Sequence, residues 1–186
     1  MRVVARGGPI ALALLGGCYV ENPAFVETSR DESGDDDPCS PDAEEPDDDE
    51  IDATPLGPVN DDAPSLAVDG RLEEATAQDW FVYVGEATSG LTPQPRARVT
   101  SGPETALGLC IFFECAGGAM MGDATCVAGE HAHTMETYRP GCCANDDVIV
   151  EPSCTDGVLG DMTVFVRVSN GDAPAACVDY VLGLEF

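Results

Sequence analysis

The 186-residue chain carries 35 acidic residues against eight basic ones, for a formal net charge of −27, and all eight cations are arginines. Such a polyanion repels nucleic acid and anionic membrane surfaces, so neither is expected as a partner, while solubility and cation association are favoured. Its length suits one core rather than two.

In chain order, residues 1–17 read as an export signal: Arg2 and Arg6 form a positive start and Ile10-Ala11-Leu12-Ala13-Leu14-Leu15 a short apolar run. That run falls short of the roughly 20 residues a spanning helix needs. Leu15-Gly16-Gly17-Cys18 resembles a lipobox. The bacterial lipoprotein family it resembles implies that the signal is removed before Cys18 and that its thiol is diacylated, often with a further chain on the new N-terminus. Each buried CH₂ adds about 0.8 kcal/mol, so several chains on Cys18 would anchor durably.

Residues 18–62 are expected to be a disordered acidic linker. Between Tyr19 and Asp62 there are 17 acidic residues and one arginine, with prolines scattered among them, too few apolar groups to offset the entropy of ordering. Asp35-Asp36-Asp37 and Asp47-Asp48-Asp49-Glu50 repel themselves, and a charged linker extends. An EF-hand loop needs alternate oxygens around an obligatory glycine, and these Asp-rich tracts lack that pattern.

From Ala63 to Phe186 the pattern changes to a β domain. Trp80–Val84 is β-branched and aromatic and closed by Gly85, a strand with a turn behind it. Arg96–Thr100 is a weaker strand and Ala106–Phe113 a stronger one. Val148–Val150 is a short strand stopped by Pro152. Met162–Val168 alternates, with Val164, Val166 and Val168 on one face and Arg167 on the other. Val178–Phe186 alternates most clearly: Val178, Tyr180, Leu182, Leu184 and Phe186 share one side and Asp179 and Glu185 the other. No stretch has a helical period. The expected fold is therefore an all-β antiparallel β-sandwich with cysteine-rich loops, its two sheets burying those alternate faces against each other.

The order of Asn60-Asp61-Asp62, Gly70, Asp79-Trp80-Phe81-Val82-Tyr83, Val164-Phe165-Val166-Arg167-Val168 and Tyr180-Val181-Leu182 resembles the bacterial pre-peptidase C-terminal domain. The match spans about 120 residues. This resemblance implies a jelly-roll-like sandwich and an accessory role in secretion or polymer binding. In some members it also implies calcium, for which Asp61, Asp62 and Asp79 are the matching residues here, beside their reading as ordinary turn and strand-start residues. The cysteine-rich section Cys110–Cys154 departs from that family. With the lipobox and the acidic linker, it makes the chain similar to lipoproteins of myxobacteria.

Apart from Cys18, eight cysteines remain: Cys39, Cys110, Cys115, Cys126, Cys142, Cys143, Cys154 and Cys177. An even number in an exported chain is expected to pair as disulfides, in a connectivity the spacing does not choose. The neighbours Cys142 and Cys143 are not expected to bond each other. Zinc is not expected, because the two close C-x₂-C pairs are missing. His131 and His133 could face one way on an extended segment, yet read better as solvated groups in a Gly-rich loop, and Trp80 reads as core. With no nucleophile elbow, triad or phosphate loop, no catalytic residue and no cofactor is expected. The reading is a non-catalytic binding or structural module in the bacterial cell envelope, lipid-anchored on the outer membrane rather than the inner. It would be held there through Cys18 and would take a protein or polysaccharide ligand. The alternative is an accessory domain or cryptic hydrolase whose site lies in the cysteine-rich loops.

Overall fold

Alternating burial along Val178–Glu185 marks the sandwich. Val178, Tyr180, Leu182 and Leu184 are buried and Asp179, Val181 and Glu185 exposed, as a strand with one face on a core requires. The computed structural model describes residues 48–73, 76–88, 92–102, 105–116, 122–154, 161–171 and 177–186. The signal 1–17, Cys18, Cys39 and the linker up to residue 47 lie outside them.

The strands are β1 (Thr54–Pro55), β2 (Val59–Asn60), β3 (Leu66–Leu72), β4 (Gln78–Glu86), β5 (Arg96–Ser101) and β6 (Leu107–Glu114). They continue as β7 (Gly122–Ala128), β8 (Glu130–His133), β9 (Pro140–Asn145), β10 (Asp147–Cys154), β11 (Met162–Asn170) and β12 (Val178–Glu185). One sheet runs β1-β4-β11-β6-β9-β8, with β2 also on β4, and the other runs β3-β12-β5-β10-β7. The protein is thus all-β, in two sheets whose pairs are antiparallel apart from β1 and β2 on β4. The inner faces meet through Phe81, Tyr83, Leu109, Ile111, Phe113, Val164, Val166 and Val168 from the first sheet. Leu72, Ala97, Val99, Val148, Val150, Tyr180, Leu182 and Leu184 face them from the second. Two glycines allow close ring packing. The Tyr180 ring lies where a Gly70 side chain would be and the Phe186 ring where a Gly85 side chain would be. The Tyr180 hydroxyl donates to the buried Asp79 carboxylate.

Four expectations are corrected. The acidic linker does not extend to Asp62: Thr54–Pro55 and Val59–Asn60 pair in parallel with β4, and Glu50 is buried. An acidic residue enters the fold here because Arg139 receives it. The Glu50 carboxylate pairs with the Arg139 guanidinium and accepts the Thr137 hydroxyl at 2.9 Å. Arg139 also holds Glu114 at 3.0 Å and lies 4.2 Å over the Phe165 ring. Further along, much of the cysteine-rich section is strand, not loop, forming β7, β8 and β9. Two single-residue corners in the left-handed region, Gly129 (φ 107°) and Asp146 (φ 71°), pass the chain from the second sheet to the first and back. The two histidines consequently lie on an edge strand rather than in a Gly-rich loop. Finally, Pro152 does not stop its strand. Val150 N donates to Pro95 O, and Pro152 turns its nitrogen to that same edge, beyond the point where β5 begins, so its missing N–H leaves no ladder bond unmade.

Candidate functional site

The outer face of the first sheet is not a wet face. Trp80, Cys110, Phe112, Phe165 and Ala53 form a second, smaller apolar cluster there, with Trp80 and Phe112 stacked at 5.8 Å between ring centroids. Across this face the registers Trp80↔Arg167↔Cys110↔Cys143↔Glu130 join five strands, β4, β11, β6, β9 and β8, in one row. Directly opposed residues of antiparallel strands share a face, so these side chains stand side by side. The next row is Gln78↔Ser169↔Gly108↔Asn145. Between the rows lies an open hollow of about 490 Å³ lined by Gly108, Cys110, Cys143, Glu130, Asn145, Arg167 and Ser169. Gly108 keeps it open, since a Cβ there would come within 2.6 Å of Ser169 Oγ.

Arg167 supplies the charge. Its guanidinium carbon is 5.6 Å from the Trp80 ring centroid and 5.9 Å from that of Phe112, within cation–π range, and Nη2 is 3.1 Å from Cys110 Sγ. Partial burial pushes its pKa below the usual arginine value, because the cation is desolvated. Among the described residues no carboxylate pairs with Arg167, whereas Arg71, Arg96, Arg98 and Arg139 all have acidic partners. Two donors facing this cluster, Arg167 Nε and Trp80 Nε1, are buried with no acceptor. A second hollow of about 490 Å³, on the other sheet, contains Arg98, but there Asp147 already neutralises it at 3.4 Å.

The disulfides brace this face. Cys110–Cys143 crosses β6 and β9 inside the row, with Cα atoms 4.1 Å apart. Cys115–Cys154 (Cα–Cα 6.0 Å) and Cys126–Cys142 (5.7 Å) link one sheet to the other. Cys142 and Cys143 therefore bond different partners, because successive residues of a strand point to opposite faces. Cys177 is also disulfide-bonded. His131 and His133 are exposed on β8 and share a face, but among the described residues no group of His, Cys, Asp and Glu could hold a metal. Asp61 and Asp62 accept from Thr88, near the end of β4 opposite to Asp79, so the three carboxylates matched by the resemblance are not brought together. Trp80 lies in the outer apolar cluster rather than the sandwich core. Arg167, Gly108, Ser169, Asn145 and Glu130 are the site residues that sequence reasoning missed as a set. Their signal was the unbroken apolar runs Trp80–Val84 and Cys110–Phe113, which mean strands covered on both faces.

Fold and site together define a disulfide-stapled antiparallel sandwich with an arginine-bearing hollow on its outer face. No family model matches the chain, and no curated protein or solved structure matches it either.

Proposed function

We propose that this chain is an exported lipoprotein whose sandwich is a non-catalytic binding module, held to the bacterial envelope through Cys18. The observation that carries the reading is the set of three cross-strand and inter-sheet disulfides, which persist in oxidising compartments and are rare in the cytosol. A stapled sheet also suits binding, since a site on rigid elements holds its donors in place without ordering cost. The lipobox-like Leu15-Gly16-Gly17-Cys18 supports anchoring, and the resemblance to pre-peptidase C-terminal domains supports an accessory binding role toward protein or polysaccharide. Such a module would extend the reach of the envelope surface, with the acidic stretch before residue 48 as its tether. Feeding cells labelled fatty acid tests the anchor. The wild-type chain should carry label and enter the detergent phase, and Cys18→Ser should do neither. Identical partition of the two would sink the lipoprotein reading. Binding is tested by presenting the oxidised chain to glycan and protein arrays, where no specific hit would remove the module reading.

A further inference from the structure

The hollow beside Arg167 has a chemical polarity that narrows its ligand. We propose that it binds a compact α-amino carboxylate, the carboxylate on Arg167 and the ammonium toward Glu130; this rests on the binding-module reading and names its ligand class.

The first step is an acceptor deficit. Arg167 is half-buried over two rings, its Nε has no acceptor, and the adjacent Trp80 Nε1 has none either. Donors without acceptors leave the guanidinium under-satisfied, so a ligand in the hollow that supplies oxygens to Arg167 is favoured. The planar guanidinium matches carboxylates and phosphates, and the hollow supplies a hydroxyl and an amide from Ser169 and Asn145 beside it.

The second step separates a zwitterion from a plain anion. Among the described residues Arg167 is the only cation lining this hollow, and Glu130 lines it too. The formal charge of the chain is −27, so its long-range field opposes any ligand with net negative charge and opposes a phosphate dianion most. A ligand carrying its own cation escapes that penalty and gives Glu130 a partner. Glu130 and Arg167 stand three strand spacings apart in the same row, about 14 Å between backbones. The Cys110–Cys143 bridge lies in the row between them, and the two side chains line the same hollow, which is of small-molecule size. Gly108 supplies the room, and the disulfide supplies a floor that cannot spread.

Trp80 is the single tryptophan of the chain, and Arg167 lies over its ring, so its emission reports directly on the site. The full oxidised chain in detergent is titrated with glycine, acetate and methylammonium. Glycine should give a saturable change at lower concentration than acetate, and methylammonium none. Arg167→Gln should weaken glycine by about tenfold or more, the loss of a charge-assisted pair. Glu130→Gln, a substitution at an exposed position that leaves the fold intact, should bring glycine down to the affinity of acetate. It decides the matter even if Arg167→Gln fails to fold. Equal affinity for glycine and acetate, an unchanged glycine titration in Glu130→Gln, or no response to any probe overturns the inference. Equal affinity leaves a binding module with another ligand class, whereas failure of the anchored-module reading is seen separately, in the fractionation of the wild type.

Discussion

Arg139 ties the segment before β1 to the sandwich, and its removal has a calculable cost. Its side chain is 14% exposed, that of Glu50 6% and that of Glu114 24%, so the triad is largely desolvated. Thr137 donates to Glu50 at 2.9 Å, Thr134 and Thr137 share a hydrogen bond of 2.7 Å, and Arg139 N donates to Thr134 Oγ1 at 3.0 Å. Removing one partner of a buried pair costs about 3–5 kcal/mol, because the other charge is left without compensation. Arg139→Ala orphans two carboxylates and exposes the Phe165 ring, so it should fall in that range. Glu50→Ala leaves Arg139 paired with Glu114, and the loss is then nearer to that of one charge-assisted hydrogen bond, about 1.5–3 kcal/mol. In a domain of this size 1 kcal/mol is worth about 3–4 °C of Tm. The expected drops are therefore about 10–17 °C for Arg139→Ala and about 5–10 °C for Glu50→Ala, read by circular dichroism melts of the oxidised chain. The double variant should lose less than the two singles added, because both remove the same contact. Deleting the chain through Asp62 should cost more than Glu50→Ala, since β1 and β2 go with it. An Arg139→Ala melt within about 2 °C of wild type, or strict additivity of the two variants, would refute the clamp.

Further outcomes follow from the same contacts. Asp147 accepts two bonds from Arg96, at 3.0 and 2.7 Å, and this hydrogen bonding holds its carboxyl below the usual range. A depressed folded-state pKa contributes stability above the unfolded value and loses it as pH falls through the folded one. Asp147→Asn should thus destabilise at neutral pH and be silent in strong acid, and a carboxyl that titrates by NMR at the ordinary Asp value would contradict this. Non-reducing peptide mapping should return Cys110–Cys143, Cys115–Cys154 and Cys126–Cys142. Replacing both Cys126 and Cys142 by serine should cost about 2–4 kcal/mol by urea titration, and an unchanged midpoint would count against the staple. Gly70→Ala should lose about 1–3 kcal/mol, because the new methyl would occupy the place of the Tyr180 ring that Asp79 holds; wild-type stability would show that the ring can swing aside.

What the sequence made legible, and what it did not, divides along one physical line. Strands β4, β6, β11 and β12 were legible because each lays an apolar face on the core between the sheets, and the period of two survives in the residue types. The β7–β9 section was not, because its core-facing positions are filled by the buried Cys142 and Ala124 and the half-buried Cys126 rather than by large aliphatic side chains. It also changes sheets at Gly129 and Asp146, where a single left-handed residue stands in place of a recognisable turn. The linker boundary was misplaced for an electrostatic reason. Glu50 belongs by composition to the acidic run, and only Arg139, 89 residues later, makes its burial favourable.

The site was hidden by the same logic that exposed the fold. In β11 the alternation assigns Arg167 to the face opposite Val166, and an isolated strand gives such a residue to water. Only when β4 and β6 are laid on either side does that face acquire Trp80 and Phe112, and with them a desolvated arginine. The chain has acidic residues in abundance, and it places them on Arg71, Arg96, Arg98 and Arg139. On the same face the row beside Arg167 holds Ser169 and Asn145, flanking Gly108. Both positions hold neutral groups that can donate or accept. Among the described residues Arg167 is thus the arginine whose charge is left to rings and a disulfide sulfur rather than to a carboxylate, and that is the physical feature on which the proposed ligand rests.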